Sequence, residues 1–154
     1  MATMSSVNPA TGEVLARFDE LTDAELEARL ARAAATFDAW RRRPIAERAA
    51  LMTRAGEVLE RGKERWGRTM TLEMGKTFRS AVAEAEKCAV ACDWFADHAP
   101  GLLRPEEVSS GAMRSRLAHQ PLGVILAIMP WNFPYWQVIR AIVPALAAGN
   151  VVVL

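Results

Sequence analysis

Between Leu26 and Phe37 the apolar residues Leu26, Leu30, Ala33, Ala34 and Phe37 recur near a helical period, while Glu25, Glu27, Arg29 and Arg32 mostly take the other face. Thr22 and Glu25 stand at the spacing of a capping box, so an amphipathic helix is predicted from Asp23 to about Arg41. Upstream, Pro9-Ala10-Thr11-Gly12 reads as a turn feeding a short strand, Val14 to Phe18, which makes residues 8–18 a surface hairpin arm. Pro44 can open a second helix with the apolar stripe Leu51, Ala55, Val58 and Leu59, which Gly62 and Gly67 weaken or break. A short helical piece, Trp66 to Met74, is closed by Gly75, and Thr77 then caps a long helix from Phe78 to about His98, ended by Pro100-Gly101.

The last third has a different pattern. Residues 103–111 are polar and rich in turn formers, a loop or edge hairpin, and Met113 to Gln120 alternates enough to form a strand. Gly123 to Met129 is a continuous apolar run of strand length, predicted to be buried on both faces. After the turn at Pro130 to Pro134 comes a helix to about Ala148, closed by Gly149, and Val151 to Leu154 repeats the buried-strand pattern. Strand, crossover helix and strand make a βαβ unit, so the fold class is α/β with a parallel sheet. The sequence ends inside that last strand, so the pattern predicts a chain that continues.

Composition narrows the function classes. In 154 residues, 51% apolar and 24% charged is a globular balance of about one domain, and a formal net charge of +1 gives no electrostatic reason to expect nucleic acid. No secretory signal or membrane-spanning run is visible, and the expectation is a cytoplasmic protein acting on a small molecule. Cys88 and Cys92, four apart on a helix, are expected to be core residues, and His98 and His119 do not complete a metal-ligand set, so no metal is expected. Arg41-Arg42-Arg43 fits a solvated helix end, and Glu73-Met74-Gly75-Lys76, although it pairs a carboxylate with an amine, reads as a helix terminus.

Two groups of residues carry chemistry. Asn132 lies in a turn between a buried strand and a helix N-terminus, where ligands of open α/β sheets bind and where the dipole favours a developing anion. Its alternative role is to satisfy the turn before Pro134. Phe133, Trp136, Gln137 and Arg140 share one face of the following helix, and Arg140 is the only charge there. Set among mainly apolar positions, Val138, Ile139, Ile142 and Val143, and so expected to be buried, its guanidinium needs an anionic partner, either a protein carboxylate or the carboxylate of a substrate.

Asn8-Pro9-Ala10-Thr11-Gly12-Glu13, Trp40 with Pro44 and Glu47-Arg48, Glu73 to Lys76, Met129-Pro130-Trp131-Asn132-Phe133-Pro134, and Pro144 to Asn150 together resemble the aldehyde dehydrogenase superfamily, along nearly the whole chain. The resemblance implies the N-terminal part of that fold: helices packed on an incomplete Rossmann-like parallel sheet, with an edge hairpin at about 103–121 for oligomerisation. It implies NAD or NADP as cofactor, with Ile128, Met129, Pro130, Trp131 and Asn132 beside it, and Asn132 as the donor that steadies the oxyanion formed when a cysteine adds to the aldehyde. An Arg spaced like Arg140 resembles the carboxylate-binding residue of succinate-semialdehyde dehydrogenases, with Phe133 and Trp136 as pocket wall. The nucleophilic Cys, the general-base Glu and the glycine-bearing cofactor loop of the family have no counterpart in these residues, so the catalytic domain is absent and this chain alone is expected to be inactive. Full-length relatives of this kind are homodimers or homotetramers. Oxidation of another small aldehyde, or a non-catalytic module that associates with a partner chain, remain the other readings.

Overall fold

The computed structural model describes residues 3–154. Strands β1 (Thr3–Val7) and β2 (Val14–Asp19) form an antiparallel hairpin. Its turn is tied by the Asn8 N–H donating to the Glu13 carbonyl at 2.9 Å and by the Asn8 side chain accepting from the Ala10 N–H at 2.9 Å. Helix α1 (Asp23–Trp40) starts at Thr22 with the expected capping box: Thr22 accepts from the Glu25 N–H, and the Glu25 carboxylate accepts from the Thr22 N–H at 2.8 Å. Its predicted apolar face is only partly used, since Ala33 is buried but Leu26 and Leu30 are 44% and 40% exposed.

Helices α2 (Ile45–Arg61), α3 (Lys63–Met74) and α4 (Phe78–Leu102) pack on one another, with α4 central. The buried face of α4 is Ala81, Glu84, Ala85, Cys88, Ala89, Cys92, Ala96 and Ala99, a stripe of mostly small residues that lets neighbouring backbones come close. The neighbours use glycine for the same purpose: a Cβ at Gly56 of α2 would stand 3.2 Å from the Ala89 carbonyl, and one at Gly67 of α3 would stand 3.1 Å from the Val82 backbone nitrogen. Gly67 therefore packs inside α3 rather than breaking it, and α3 begins at Lys63, three residues before the expected start. On α2 the buried positions are Arg48, Met52, Gly56 and Leu59, whereas Val58 is 50% exposed, so the stripe is rotated from the one expected. Gly75 closes α3 with φ 75°, as its position implied.

Pro100-Gly101 does not end α4. A proline near a helix C-terminus forfeits one N–H while later residues still reach back, and the Leu103 N–H donates to the Ala99 carbonyl at 3.0 Å. The strand expected over Met113–Gln120 shrinks to β4 (Arg116–Leu117), paired antiparallel with β3 (Glu106–Glu107). The residues before it are spent on a tight turn, in which Ser110 and Ser115 hydroxyls bond at 2.6 Å and Ser110 accepts from the Ala112 N–H.

Strands β5 (Val124–Leu126) and β6 (Val151–Val153) pair in parallel around helix α5 (Pro134–Ala147), the expected βαβ unit. Asn150 fixes their register: its side-chain oxygen accepts from the Leu122 and Gly123 N–H groups at 2.7 and 3.1 Å, and its Nδ2 donates to the Ala145 carbonyl. The run at Gly123–Met129 is not buried on both faces, with Leu126 69% and Ile128 83% exposed. Among the described residues β5 has only β6 as a ladder neighbour, and α1 and α5 cover only part of the pair.

Candidate functional site at the start of helix α5

The turn after β5 carries Ile128, Met129, Pro130, Trp131 and Asn132, and α5 follows at Pro134 with Phe133 as its N-cap. Phe133 has no side-chain acceptor, and Pro134 has no N–H to satisfy. The next two donors, the N–H groups of Tyr135 and Trp136, both bond to Glu84 Oε1 of α4, at 3.0 and 2.9 Å, and the Gln137 N–H returns to the Phe133 carbonyl at 2.9 Å. The first turn is thus satisfied by a carboxylate from another helix, placed where the dipole favours negative charge. Asn132 is exposed and is not spent on capping.

Glu84 is itself only 2% exposed at its side chain, and its second oxygen pairs with the Lys76 ammonium, which is 10% exposed. The same ammonium lies 3.9 Å from the centroid of the Phe133 ring, and Lys87 lies 3.8 Å from that of Trp136. The opposite end of α5 is held as well. Arg48, buried on α2, donates from Nε to the Ala147 carbonyl at 3.0 Å and from Nη1 to the Arg43 carbonyl, and Trp40 Nε1 donates to the Leu146 carbonyl at 3.0 Å. These bonds satisfy C-terminal carbonyls with a cation near the negative end of the helix dipole.

Asn132 lines neither of the two hollows beside it, and the other candidate residues fall into two sets. Ile128, Met129, Pro130 and Trp131 line an open apolar hollow of about 410 Å³ together with Pro134, Val138, Leu126 at the end of β5, and Ala127 and Leu154, which directly follow the two strands. Trp131 is 76% exposed and also borders a second hollow with Met70, Glu73 and Met74. Phe133, Trp136 and Arg140 are absent from both hollows, because they sit on another side of α5. Arg140 is exposed rather than lodged among apolar neighbours, and no protein carboxylate pairs with it among the described residues. The burial expected for it is therefore corrected: on this chain α5 leaves that face open, and the guanidinium stands available to a partner from outside.

Cys88 and Cys92 are fully buried, and burial in the first place pushes their thiols up to about 12 and about 11, with the Glu84 and Asp93 charges adding to it. Burial likewise raises Tyr135. Thiols so placed are poor nucleophiles. Among the described residues no cluster of three or more His, Cys, Asp and Glu could hold a metal, and no helix is long and apolar enough to cross a membrane.

Glu84 is not singled out by the sequence, and Arg48 carries part of the resemblance but no role. Each is a charged residue at a core position of its helix, Glu84 four before Cys88 and Arg48 four before Met52. A charge on a buried stripe needs a partner, and that was the available signal.

The sequence matches the profile of the aldehyde dehydrogenase family over residues 1–154, and the chain belongs to that family. Among individual relatives, it is 46% identical over 148 residues to a probable succinate-semialdehyde dehydrogenase (NADP+) of Synechocystis sp., covering 96% of this chain and 33% of that one. It is 44% identical over 155 residues to the succinate-semialdehyde dehydrogenase (NADP+) of Mycobacterium avium, covering 98% and 33%. The crystal structure of succinic semialdehyde dehydrogenase from Streptococcus pyogenes with NADP+ superposes with a TM-score of 0.91 at 35% identity, over 96% of this chain and 33% of that one. The chain thus spans about a third of the length of the relatives it matches.

Proposed function

We propose that this chain supplies the oxyanion donor and the substrate-carboxylate clamp of an NADP-dependent succinate-semialdehyde dehydrogenase, working together with protein the chain does not itself contain. The observation that carries the reading is the pairing of two unspent groups on one βαβ unit: an exposed Asn132 before a helix whose amides are capped elsewhere, and an exposed Arg140 with no protein carboxylate among the described residues. Asn132 donates from its amide to the aldehyde oxygen as negative charge gathers there. Arg140 takes the distal carboxylate of succinate semialdehyde in its planar fork, and Phe133 and Trp136 form the wall between them.

The apolar hollow beside Trp131 offers a face for the flat nicotinamide ring of a dinucleotide, and among the described residues no cation lines it to take the phosphates. A dinucleotide held beside Ile128, Met129, Pro130 and Trp131 would supply the hydride acceptor. The nucleophile comes from outside these residues, since Cys88 and Cys92 are sealed in the helix core. The hairpin at about residues 103–121, short and exposed, serves in this reading as a sheet edge for assembly into dimers or tetramers.

The test uses the complete polypeptide as its source makes it, whose intact mass is measured first. Arg140→Ala is expected to lower kcat/KM for succinate semialdehyde about 50-fold, the worth of a charge-assisted bond, and to leave an uncharged aldehyde such as butanal nearly unaffected. Asn132→Ala is expected to lower kcat about 100-fold for both substrates. Equal loss on the two aldehydes in Arg140→Ala would remove the clamp and leave an aldehyde dehydrogenase of other specificity.

A further inference from the structure

We propose that Lys76 and Glu84 are positioning residues, an ion pair that sets the first turn of α5 and the Phe133 ring and thereby the direction in which Asn132 and Phe133 face a substrate. Three helices meet at the pair. Lys76 follows the left-handed Gly75 that ends α3, Glu84 projects from α4, and the amides received are those of Tyr135 and Trp136 in α5. Both carboxylate oxygens are used, one on the two amides and the other on the ammonium.

The arrangement differs from a local cap in a way that matters to the site. A Ser, Thr, Asp or Asn at position 133 would satisfy the helix start by itself. Here that position holds Phe133, 44% exposed, and the cap comes from residue 84 instead. The borrowed cap leaves the N-cap position free to present an aromatic ring, and the ammonium that balances Glu84 also holds that ring by its face at 3.9 Å. Neither half works alone: removing Lys76 leaves a carboxylate buried without its cation, and removing Glu84 leaves two orphan amides and a largely buried ammonium.

The catalytic half of this proposal rests on the functional reading above; the structural half does not. The complete polypeptide is compared with its Glu84→Gln, Lys76→Met and Lys76→Arg variants by hydrogen exchange at the Tyr135 and Trp136 amides, by melting temperature, and by kcat and KM on succinate semialdehyde. Glu84→Gln keeps an acceptor oxygen but not the charge. It and Lys76→Met are expected to exchange those two amides about 10-fold faster and to lower kcat by about 10- to 100-fold per folded molecule, as small misplacements of reacting groups do. Lys76→Arg is expected to recover most of both. Unchanged exchange and kcat within twofold of wild type in the first two variants would overturn the proposal, as would a Lys76→Arg variant no better than Lys76→Met. If the wild type shows no aldehyde-dependent reduction of NADP+, the functional reading fails by itself, and the exchange of the two amides alone then decides whether the pair holds the helix.

Discussion

Cys88 and Cys92 each lie with no accessible surface on the stripe by which α4 packs against its neighbours, and their thiols are pushed up to about 12 and about 11, chiefly by burial. In an unfolded chain they would ionise near their ordinary value; in the folded one they keep their protons to higher pH. Above that ordinary value the folded state binds more protons than the unfolded one, so stability is full below about pH 9 and falls as pH rises toward 12. Thermal melts between pH 8 and 11 are expected to show this fall, and a Cys88→Ala/Cys92→Ala chain is expected to show less of it; an unchanged slope would mean that other groups dominate. At pH 8 neither thiol is expected to react with a water-soluble alkylating reagent until denaturant is added. The core role of these two was legible from their spacing on one helix face and their apolar character, and the Thr22–Glu25 capping box was legible because it depends on local geometry alone. Arg140 was legible as a charge seeking an anion but not as an exposed one, since exposure depends on what covers α5, and Glu84 escaped notice because its partners are 51 and 52 residues away.

Helix α5 is gripped at both ends by side chains of opposite charge, Glu84 at the start and Arg48 with Trp40 at the finish. Trp40→Phe removes the bond to the Leu146 carbonyl and part of a ring packed on the core, and is expected to cost at least about 1 kcal/mol. Arg48→Met leaves the Ala147 and Arg43 carbonyls without their donor and is expected to cost about 2 kcal/mol, read from urea midpoints at constant m-value. Equal midpoints for wild type and Arg48→Met would show that water replaces the guanidinium at no loss. At this scale the five helices and the βαβ unit followed from periodicity and punctuation. The misplaced ends have particular causes: Pro100 falls where a helix can spare an N–H, Gly67 is a contact rather than a break, and Met113–Ser115 belong to a turn held by serine hydroxyls. Each is decided by a neighbour in space and not by the residue's own preference.

At the scale of the whole molecule the helices share a core, while the parallel pair β5–β6 remains thinly covered, with Leu126, Ile128, Trp131 and Leu154 all more than half exposed. So much contiguous apolar surface on one side favours association. The 154-residue chain produced by itself is expected to bind a hydrophobic dye, to elute from a sizing column above its 16.9 kDa mass, and to form no NADPH from succinate semialdehyde. A compact monomer without dye binding would show that the strand pair is protected in solution, and turnover above an Asn132→Ala control would show that the nucleophile lies within these residues after all. The grip on α5 has a further consequence for how the chain is made. Residues 40, 48, 76 and 84 all precede the helix they hold, so a ribosome delivers the receptor before the ligand. Domains form as units from the N-terminal side during synthesis. Each copy of α5 can therefore dock as it emerges, which would fix the mouth of the site before any later segment has to find it.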